Sequence, residues 1–168
     1  MRLKARFLGL FLIAALAGCA GRAPPVDRPP PVERSPGIAP RIGDAEPVSE
    51  VAFVALALVG SPYANGGASP EVGFDCSGLV AYVYGRALRR ELPRNTFDLA
   101  RTGTAVSDPQ PGDLLFYNTQ GRPFSHVAIY LGESRFVHAP STGGTVRIED
   151  MRVGYWTKRF DGARRVAD

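Results

Sequence analysis

The sequence is poor in the residues that carry most nucleophilic and metal chemistry. Its 168 residues include only two cysteines, Cys19 and Cys76, and only two histidines, His126 and His138. One cysteine and two histidines could in principle hold a zinc ion with one open position. However, no short ligand spacing such as His-x-x-x-His occurs. Any reactive centre therefore has very few candidate residues, and a metal site is not expected.

The chain also lacks an apolar run long enough to cross a membrane as a helix. Residues 7–17 form an apolar stretch of eleven residues after Arg2, Lys4 and Arg6, whereas a transmembrane helix needs about 20. This pattern is typical of a secretory signal peptide. The stretch ends at Leu16-Ala17-Gly18-Cys19, which resembles the lipobox of bacterial lipoproteins.

The lipobox resemblance implies that residues 1–18 are removed and that Cys19 becomes acylated. Two or more acyl chains anchor a protein stably to a membrane. Ala20 in the second mature position resembles the sorting signal of Gram-negative outer-membrane lipoproteins, and this resemblance implies a location facing the periplasm. The alternative is an ordinary cleaved signal peptide, in which Cys19 has no special role.

A strong excess of one charge is missing from the predicted mature chain. The full sequence has 20 Lys and Arg against 16 Asp and Glu, and residues 1–18 hold three of the basic residues and no acidic one. The remaining 17 basic and 16 acidic residues leave a net charge of +1. No basic patch indicates nucleic-acid binding, and Arg164-Arg165 is interpreted as a solvated strand end.

Composition divides the rest of the chain into two parts. Residues 22–47 contain eight of the fifteen prolines and almost no large apolar residues, which is typical of a semi-rigid spacer. Residues 19–47 are therefore predicted to be a lipidated tether that begins at Cys19. Residues 48–168 have the length of a single domain.

The domain pattern predicts helices first and strands afterwards. A first helix is expected from Ser49, as N-cap, to Val59, and a second helix is expected to begin near Cys76. A short helix should follow. Strand-like runs then occupy residues 113–117, 125–131, 135–139, 145–148 and 159–166. This order predicts an α+β fold in which N-terminal helices pack on an antiparallel sheet.

Cys76 is the strongest candidate for a reactive residue. If Cys19 is lipidated, Cys76 has no disulfide partner in an exported protein. In the first turn of a helix, the helix dipole and the free backbone N–H groups favour the thiolate form of a cysteine. The backbone N–H of Cys76 could also donate a hydrogen bond to an oxyanion that forms during the reaction. The alternative is that Cys76 is a small buried hydrophobic residue.

The two histidines are predicted to lie side by side on one face of a hairpin. Gly132-Glu133-Ser134 has the composition of a three-residue loop, and pairing Leu131 with Arg135 places Ala128 opposite His138. His126 then becomes a diagonal neighbour of His138. We predict Cys76 as nucleophile, His126 as general base and His138 as the group that orients His126. The alternative is that both histidines are structural.

Six segments, in this order, resemble the NlpC family of papain-like cell-wall endopeptidases over nearly all of residues 50–166. They are Gly60-Ser61-Pro62-Tyr63 with Gly66-Gly67, Phe74-Asp75-Cys76-Ser77-Gly78-Leu79-Val80, Leu92-Pro93-Arg94, Pro111-Gly112-Asp113-Leu114, Ser125-His126-Val127-Ala128-Ile129-Tyr130 and Phe136-Val137-His138-Ala139.

The resemblance implies a papain-like α+β fold and a Cys76, His126 and His138 triad with no cofactor. It also implies that Tyr63 helps to stabilise the oxyanion and that Asp75 and Ser77 border the substrate pocket. Asp75 could also be a helix N-cap, a role that is compatible with a place beside the pocket. Arg94 could pair with a substrate carboxylate or hold a loop.

The substrate implied by the resemblance is the peptidoglycan stem peptide. The expected bond joins D-γ-glutamate to a diamino acid such as meso-diaminopimelate. Asn65 and residues 97–100 depart from the family pattern near the expected substrate pocket. Alternatives are an N-acetylmuramoyl-L-alanine amidase, a transpeptidase, or a non-catalytic wall-binding scaffold. An adaptor or a protease is a possible regulator.

Overall fold

The computed structural model describes residues 47–166, with side chains from Glu50 onward. The predicted signal peptide and Cys19 lie outside these residues. The helices are α1 (Pro47–Leu56), α2 (Cys76–Leu88), α3 (Thr96–Leu99) and α4 (Gly154–Thr157). The strands are β1 (Ala68–Ser69), β2 (Gly73–Phe74), β3 (Thr104–Val106), β4 (Leu114–Tyr117), β5 (His126–Gly132), β6 (Arg135–His138), β7 (Arg147–Asp150) and β8 (Phe160–Arg165).

The strands form one large and one small antiparallel sheet. The six-stranded sheet has the order β3-β8-β4-β5-β6-β7, and β1 pairs with β2. Alternate residues of β5, Val127 and Ile129, join Leu79 and Val83 of α2 in the main core. Helices packed on an antiparallel sheet confirm the predicted α+β class. No helix within residues 47–166 is both long enough and apolar enough to span a bilayer.

Helix α2 begins at Cys76 because Asp75 caps it. The Asp75 carboxylate accepts a hydrogen bond from the Gly78 backbone N–H at 2.6 Å, which satisfies one of the free donors of the first turn. A Cβ at Gly78 would lie 1.9 Å from the Gly67 carbonyl oxygen. Glycine at this position therefore lets the loop that carries Gly67 pack directly against the start of the helix.

The loop that joins β5 and β6 is shorter than the predicted three-residue loop. The structure has a two-residue turn at Glu133 and Ser134, both with positive φ (52° and 62°), as a type I′ turn requires. Gly132 pairs with Arg135, and a bulge between Tyr130 and Gly132 adds one residue to β5. The bulge restores the predicted register beyond it, where Ile129 pairs with Val137. The two histidines therefore still share a face.

Two further boundaries differ from the sequence-based prediction. Helix α1 begins at Pro47 and ends at Leu56, so Ser49 lies inside the helix instead of capping it. The strand predicted at residues 145–148 is found at Arg147–Asp150. The reason is that Val146 exchanges backbone hydrogen bonds with Gly60 and Ser61 in the loop after α1 (2.8 Å each) and is not paired with β6.

Arg164 and Arg165 are not a solvated strand end. Arg165 forms a 2.7 Å ion pair with Asp113, whose side chain is only 1% exposed, and Arg164 donates to the Ala100 carbonyl oxygen at 2.8 Å. Asp113 also accepts from the Gln110 backbone N–H at 2.8 Å. A buried carboxylate needs such partners, so these arginines tie β8 to neighbouring loops.

Candidate active site

Cys76 is a half-buried free thiol at the start of α2, next to β5. Burial raises the pKa of the Cys76 thiol, and hydrogen bonds from backbone N–H groups, chiefly that of Val127, oppose this effect. The helix-terminus argument alone predicts a lower pKa, whereas burial reverses the direction. The contact with Val127 places Cys76 beside the residue that follows His126.

His126 and His138 are in direct contact, as predicted. His126 Nε2 lies 2.8 Å from His138 Nδ1, and the two rings are nearly perpendicular at 87°. Both side chains are buried, with 5% and 0% exposure. Burial lowers the pKa of His126 to about 4. Burial also lowers the pKa of His138, and the positive charges of His126 and Arg147 lower it further. Both imidazoles are therefore neutral at neutral pH.

The short contact restricts where the imidazole protons can lie. A neutral pair shares one proton between Nε2 of His126 and Nδ1 of His138. If His126 Nε2–H donates, Nδ1 of His126 keeps a free lone pair and can act as a base. His138 then carries its proton on Nε2, a buried atom that has no hydrogen-bond partner among residues 47–166. This tautomer is inferred from the chemistry that a base requires.

Trp156 contacts both histidines, and the sequence reasoning missed it. Its ring stacks against His126 with centroids 6.1 Å apart and meets the edge of His138 at 5.1 Å and 89°. It lies on the four-residue helix α4 and is 7% exposed. Such a short helix has no periodic pattern to detect, so the only signal was that Trp156 is the sole tryptophan of the chain.

Asp75, Ser77 and Arg94 form one polar network beside Cys76. Ser77 Oγ lies 2.9 Å from Asp75 Oδ1 and 2.8 Å from the Arg94 carbonyl oxygen. Arg94 lies 3.6 Å from Asp75 Oδ2 and donates to the Gly66 carbonyl oxygen at 3.2 Å. The N-cap role of Asp75 and the loop-holding role of Arg94 are thereby confirmed.

Tyr63 lies close enough to Cys76 for the two groups to interact electrostatically. Burial raises the pKa of the Tyr63 hydroxyl, and negative charge on Cys76 or Asp75 raises it further. The hydroxyl therefore remains protonated and can donate a hydrogen bond. A parallel bridge between Tyr63 and Phe74 holds the loop that carries Tyr63 next to the start of α2.

A cleft of about 520 Å³ opens beside the histidine pair. Its walls include residues from β5, β6, β7 and α4, among them His126, His138, Arg147, Glu149, Tyr155 and Trp156. Tyr63, Asp75, Cys76 and Arg94 do not line it. Within residues 47–166, no group of three or more His, Cys, Asp or Glu side chains is arranged to hold a metal ion.

Comparison with known proteins agrees with this geometry. The model of the NlpC/P60 family matches residues 60–165. The chain is 40% identical over 113 residues to murein DD-endopeptidase MepH of Escherichia coli K12, a match that covers 64% of this chain and 42% of that protein. It is 36% identical over 132 residues to gamma-DL-glutamyl hydrolase of Bacillus subtilis 168, covering 75% and 32%. The chain thus spans less than half the length of either relative.

A solved structure supports the fold. The NlpC/P60 domain of the peptidoglycan hydrolase SagA has a TM-score of 0.60 and 35% sequence identity, with 70% of this chain and 97% of that chain covered. This likeness confirms the predicted papain-like α+β fold.

Proposed function

Because the chain belongs to the NlpC/P60 family, we propose that it is a cysteine peptidase that hydrolyses peptidoglycan stem peptides. The observation that carries the proposal is the 2.8 Å contact between His126 and His138 beside the Cys76 thiol. It provides the nucleophile, base and orienting group that thiol-dependent acyl transfer needs. The names of MepH and the gamma-DL-glutamyl hydrolase support a peptide bond as the target.

The first half of the reaction forms a thioester. Because burial raises the pKa of Cys76 and lowers that of His126, the resting pair is a neutral thiol and a neutral imidazole. Cys76 Sγ attacks the carbonyl carbon while its proton moves to Nδ1 of His126. The backbone N–H of Cys76 and the hydroxyl of Tyr63 stabilise the oxyanion. His138 accepts from His126 Nε2 and stabilises the imidazolium.

The second half releases both products. The imidazolium of His126 gives its proton to the leaving nitrogen as the C–N bond breaks, and the new amine departs. Water then loses a proton to His126 and attacks the thioester. The C–S bond breaks, the thiol of Cys76 regains its proton, and a free carboxylic acid leaves. Asp75 and Ser77, next to Cys76, border the substrate pocket in this proposal.

We place the scissile bond between D-γ-glutamate and a diamino acid such as meso-diaminopimelate. The similarity to a gamma-DL-glutamyl hydrolase supports this bond, whereas the similarity to a murein DD-endopeptidase favours a D,D bond as the second candidate. Both reactions use the same thiol chemistry and differ only in which residue occupies each side of the cleft.

The proposal also assigns roles to residues 1–47, which precede the catalytic domain. The catalytic domain starts at residue 48. We assign residues 1–18 as a signal peptide, Cys19 as the lipidated residue and the Pro-rich segment as a tether in the cell envelope, anchored in the outer membrane. The length and basic start of the apolar run and the Leu16-Ala17-Gly18-Cys19 motif support this assignment. Mass spectrometry of the mature N terminus tests it, and an unmodified Cys19 or an intact residue 1 would contradict it.

The proposed activity is tested by mass spectrometry of purified stem peptides after incubation with the full chain. We expect wild type to release L-alanyl-D-glutamate and the Cys76→Ala variant to release nothing. Release of D-alanine-terminated fragments would favour the D,D bond, and release of the whole stem from the sugar would indicate an amidase. Equal product from the Cys76→Ala variant would refute the thiol mechanism. No product from folded wild type would favour a scaffold.

A further inference from the structure

The cleft beside the histidine pair is where the proposed reaction would place the leaving group. His126 must reach the departing nitrogen in order to protonate it, so the leaving group lies on the imidazole side of Cys76. The cleft has His126 and His138 in its wall, whereas Tyr63, Asp75 and Cys76 do not line it. Groups in this cleft therefore contact the part of the substrate that follows the scissile bond.

Strand pairing places two opposite charges in this cleft. Arg147 is the cross-strand partner of His138, and Glu149 is the partner of Phe136. Directly paired residues point to the same face of a sheet, so both charged side chains lie on the face that carries His138. Arg147 and His138 also line the same cleft, and the Arg147 charge contributes to the lowered pKa of His138.

Arg147 and Glu149 form an ion pair with each other, and each retains polar groups that can bind a ligand. Arg147 Nε lies 2.7 Å from Glu149 Oε1, and the side chains are 50% and 26% exposed. A partly exposed pair of this kind contributes little to folding. Among the side chains described from Glu50 to Val166, the Nη groups of Arg147 and Oε2 of Glu149 make no hydrogen bond. A guanidinium in this state can take a carboxylate through two parallel hydrogen bonds, and a free carboxylate oxygen can take an ammonium group.

We propose that Arg147 and Glu149 determine specificity by binding a leaving-group residue whose side chain ends in both a carboxylate and an ammonium group. Arg147 binds the carboxylate and Glu149 binds the ammonium group. A side chain that ends in an amino acid group, as in meso-diaminopimelate, matches both charges, whereas lysine offers only the ammonium group. An acylated side-chain amine loses the contact with Glu149. This inference rests on the proposed function and deepens it.

Binding to the Cys76→Ala variant of the full chain tests the inference without requiring turnover. Four peptides are compared by calorimetry: L-alanyl-γ-D-glutamyl-meso-diaminopimelate, the same peptide with its side-chain carboxylate amidated, the same peptide with its side-chain amine acetylated, and the L-lysine analogue. Since each modification removes one charge-assisted contact, we expect each to weaken binding about tenfold. Equal affinity for all four peptides would overturn the inference.

Second substitutions in the Cys76→Ala background assign each charge to its residue. Arg147→Ala should bind the unmodified and amidated peptides equally, and Glu149→Gln should bind the unmodified and acetylated peptides equally. Arg152→Ala is the matched control, because Arg152 forms the same kind of ion pair with Asp150, at 2.5 Å, and does not line the cleft. It should keep both preferences. Preferences that survive in Arg147→Ala and Glu149→Gln would contradict the assignment.

The outcomes separate this inference from the proposed activity. If wild type cleaves all four peptides equally and depends on Cys76, the specificity site is wrong and the peptidase is right. If wild type cleaves none of them and Cys76→Ala still shows both preferences, the charge pair binds as proposed and the peptidase assignment is wrong.

Discussion

Acid should destabilise this protein because two imidazoles are buried without charge. The pKa of His126 falls from its ordinary value of 6.5 to about 4 through burial, and that of His138 is also lowered, chiefly by burial. The unfolded chain has ordinary imidazoles and takes up protons first as the pH falls. Stability is therefore fully present above about pH 6.5 and is lost progressively as the pH falls from there to the folded pKa, which is about 4 for His126.

The size of the loss follows from proton linkage. Between about pH 7.5 and about pH 5, a histidine whose pKa drops from 6.5 to about 4 on folding loses about 2 kcal/mol of stability. His138 adds a loss of the same sign. The free energy of unfolding should therefore fall by at least about 2 kcal/mol over this interval, a large share of the usual total of about 5–15 kcal/mol.

Two measurements check this expectation on untagged protein. Urea unfolding at the two pH values gives the loss of stability directly. NMR titration follows each imidazole, and assignment is simple because the chain has only two histidines. We expect both rings to stay neutral down to about pH 5. A ring that titrates near its ordinary value, or a free energy of unfolding that does not change between the two pH values, would refute the argument.

Two further predictions use matched pairs of substitutions. Gly78→Ala should destabilise the protein and lower peptidase activity, because a Cβ there would lie 1.9 Å from the Gly67 carbonyl oxygen. A Cβ at Gly85, in the same helix, would meet nothing within 4 Å, so Gly85→Ala should stabilise the protein by about 0.5–1 kcal/mol. Equal melting temperatures for the two variants would contradict this prediction. Tyr84→Phe should cost about 1–2 kcal/mol, because the Tyr84 hydroxyl donates a buried 2.7 Å hydrogen bond to a carbonyl oxygen before β4. Tyr117→Phe should be neutral or stabilising in the same urea titrations, because the buried Tyr117 hydroxyl has no partner in the described residues, and a larger loss for Tyr117→Phe than for Tyr84→Phe would contradict the argument.

Local sequence determined the start of α2 and the core face of β5. Asp75 caps the helix through the Gly78 N–H, so Cys76 falls in the first turn wherever the helix packs. Alternation along β5 places Val127 and Ile129 in the core and leaves His126 on the opposite face. These features depend on neighbouring residues alone, and the sequence was enough to predict them.

The hairpin register could be predicted only in part. The sequence located the turn near Glu133 and Ser134 and gave the pairing that brings the histidines together. It did not indicate that this pairing results from a type I′ turn combined with a bulge near Leu131. Two different loops thus give the same register, and local preference cannot choose between them.

Tertiary structure alone decided the charge states and the surroundings of the site. Burial reversed the expected shift of the Cys76 pKa, since desolvation depends on everything packed around the thiol. Trp156 reaches both histidines, and Arg147 lies beside His138, only because distant segments are adjacent in the sheet or pack against it. The sequence by itself therefore determined which residues can react, through local capping and alternation. Only the folded chain decided their protonation and which charges surround them, because both depend on contacts between residues far apart in sequence.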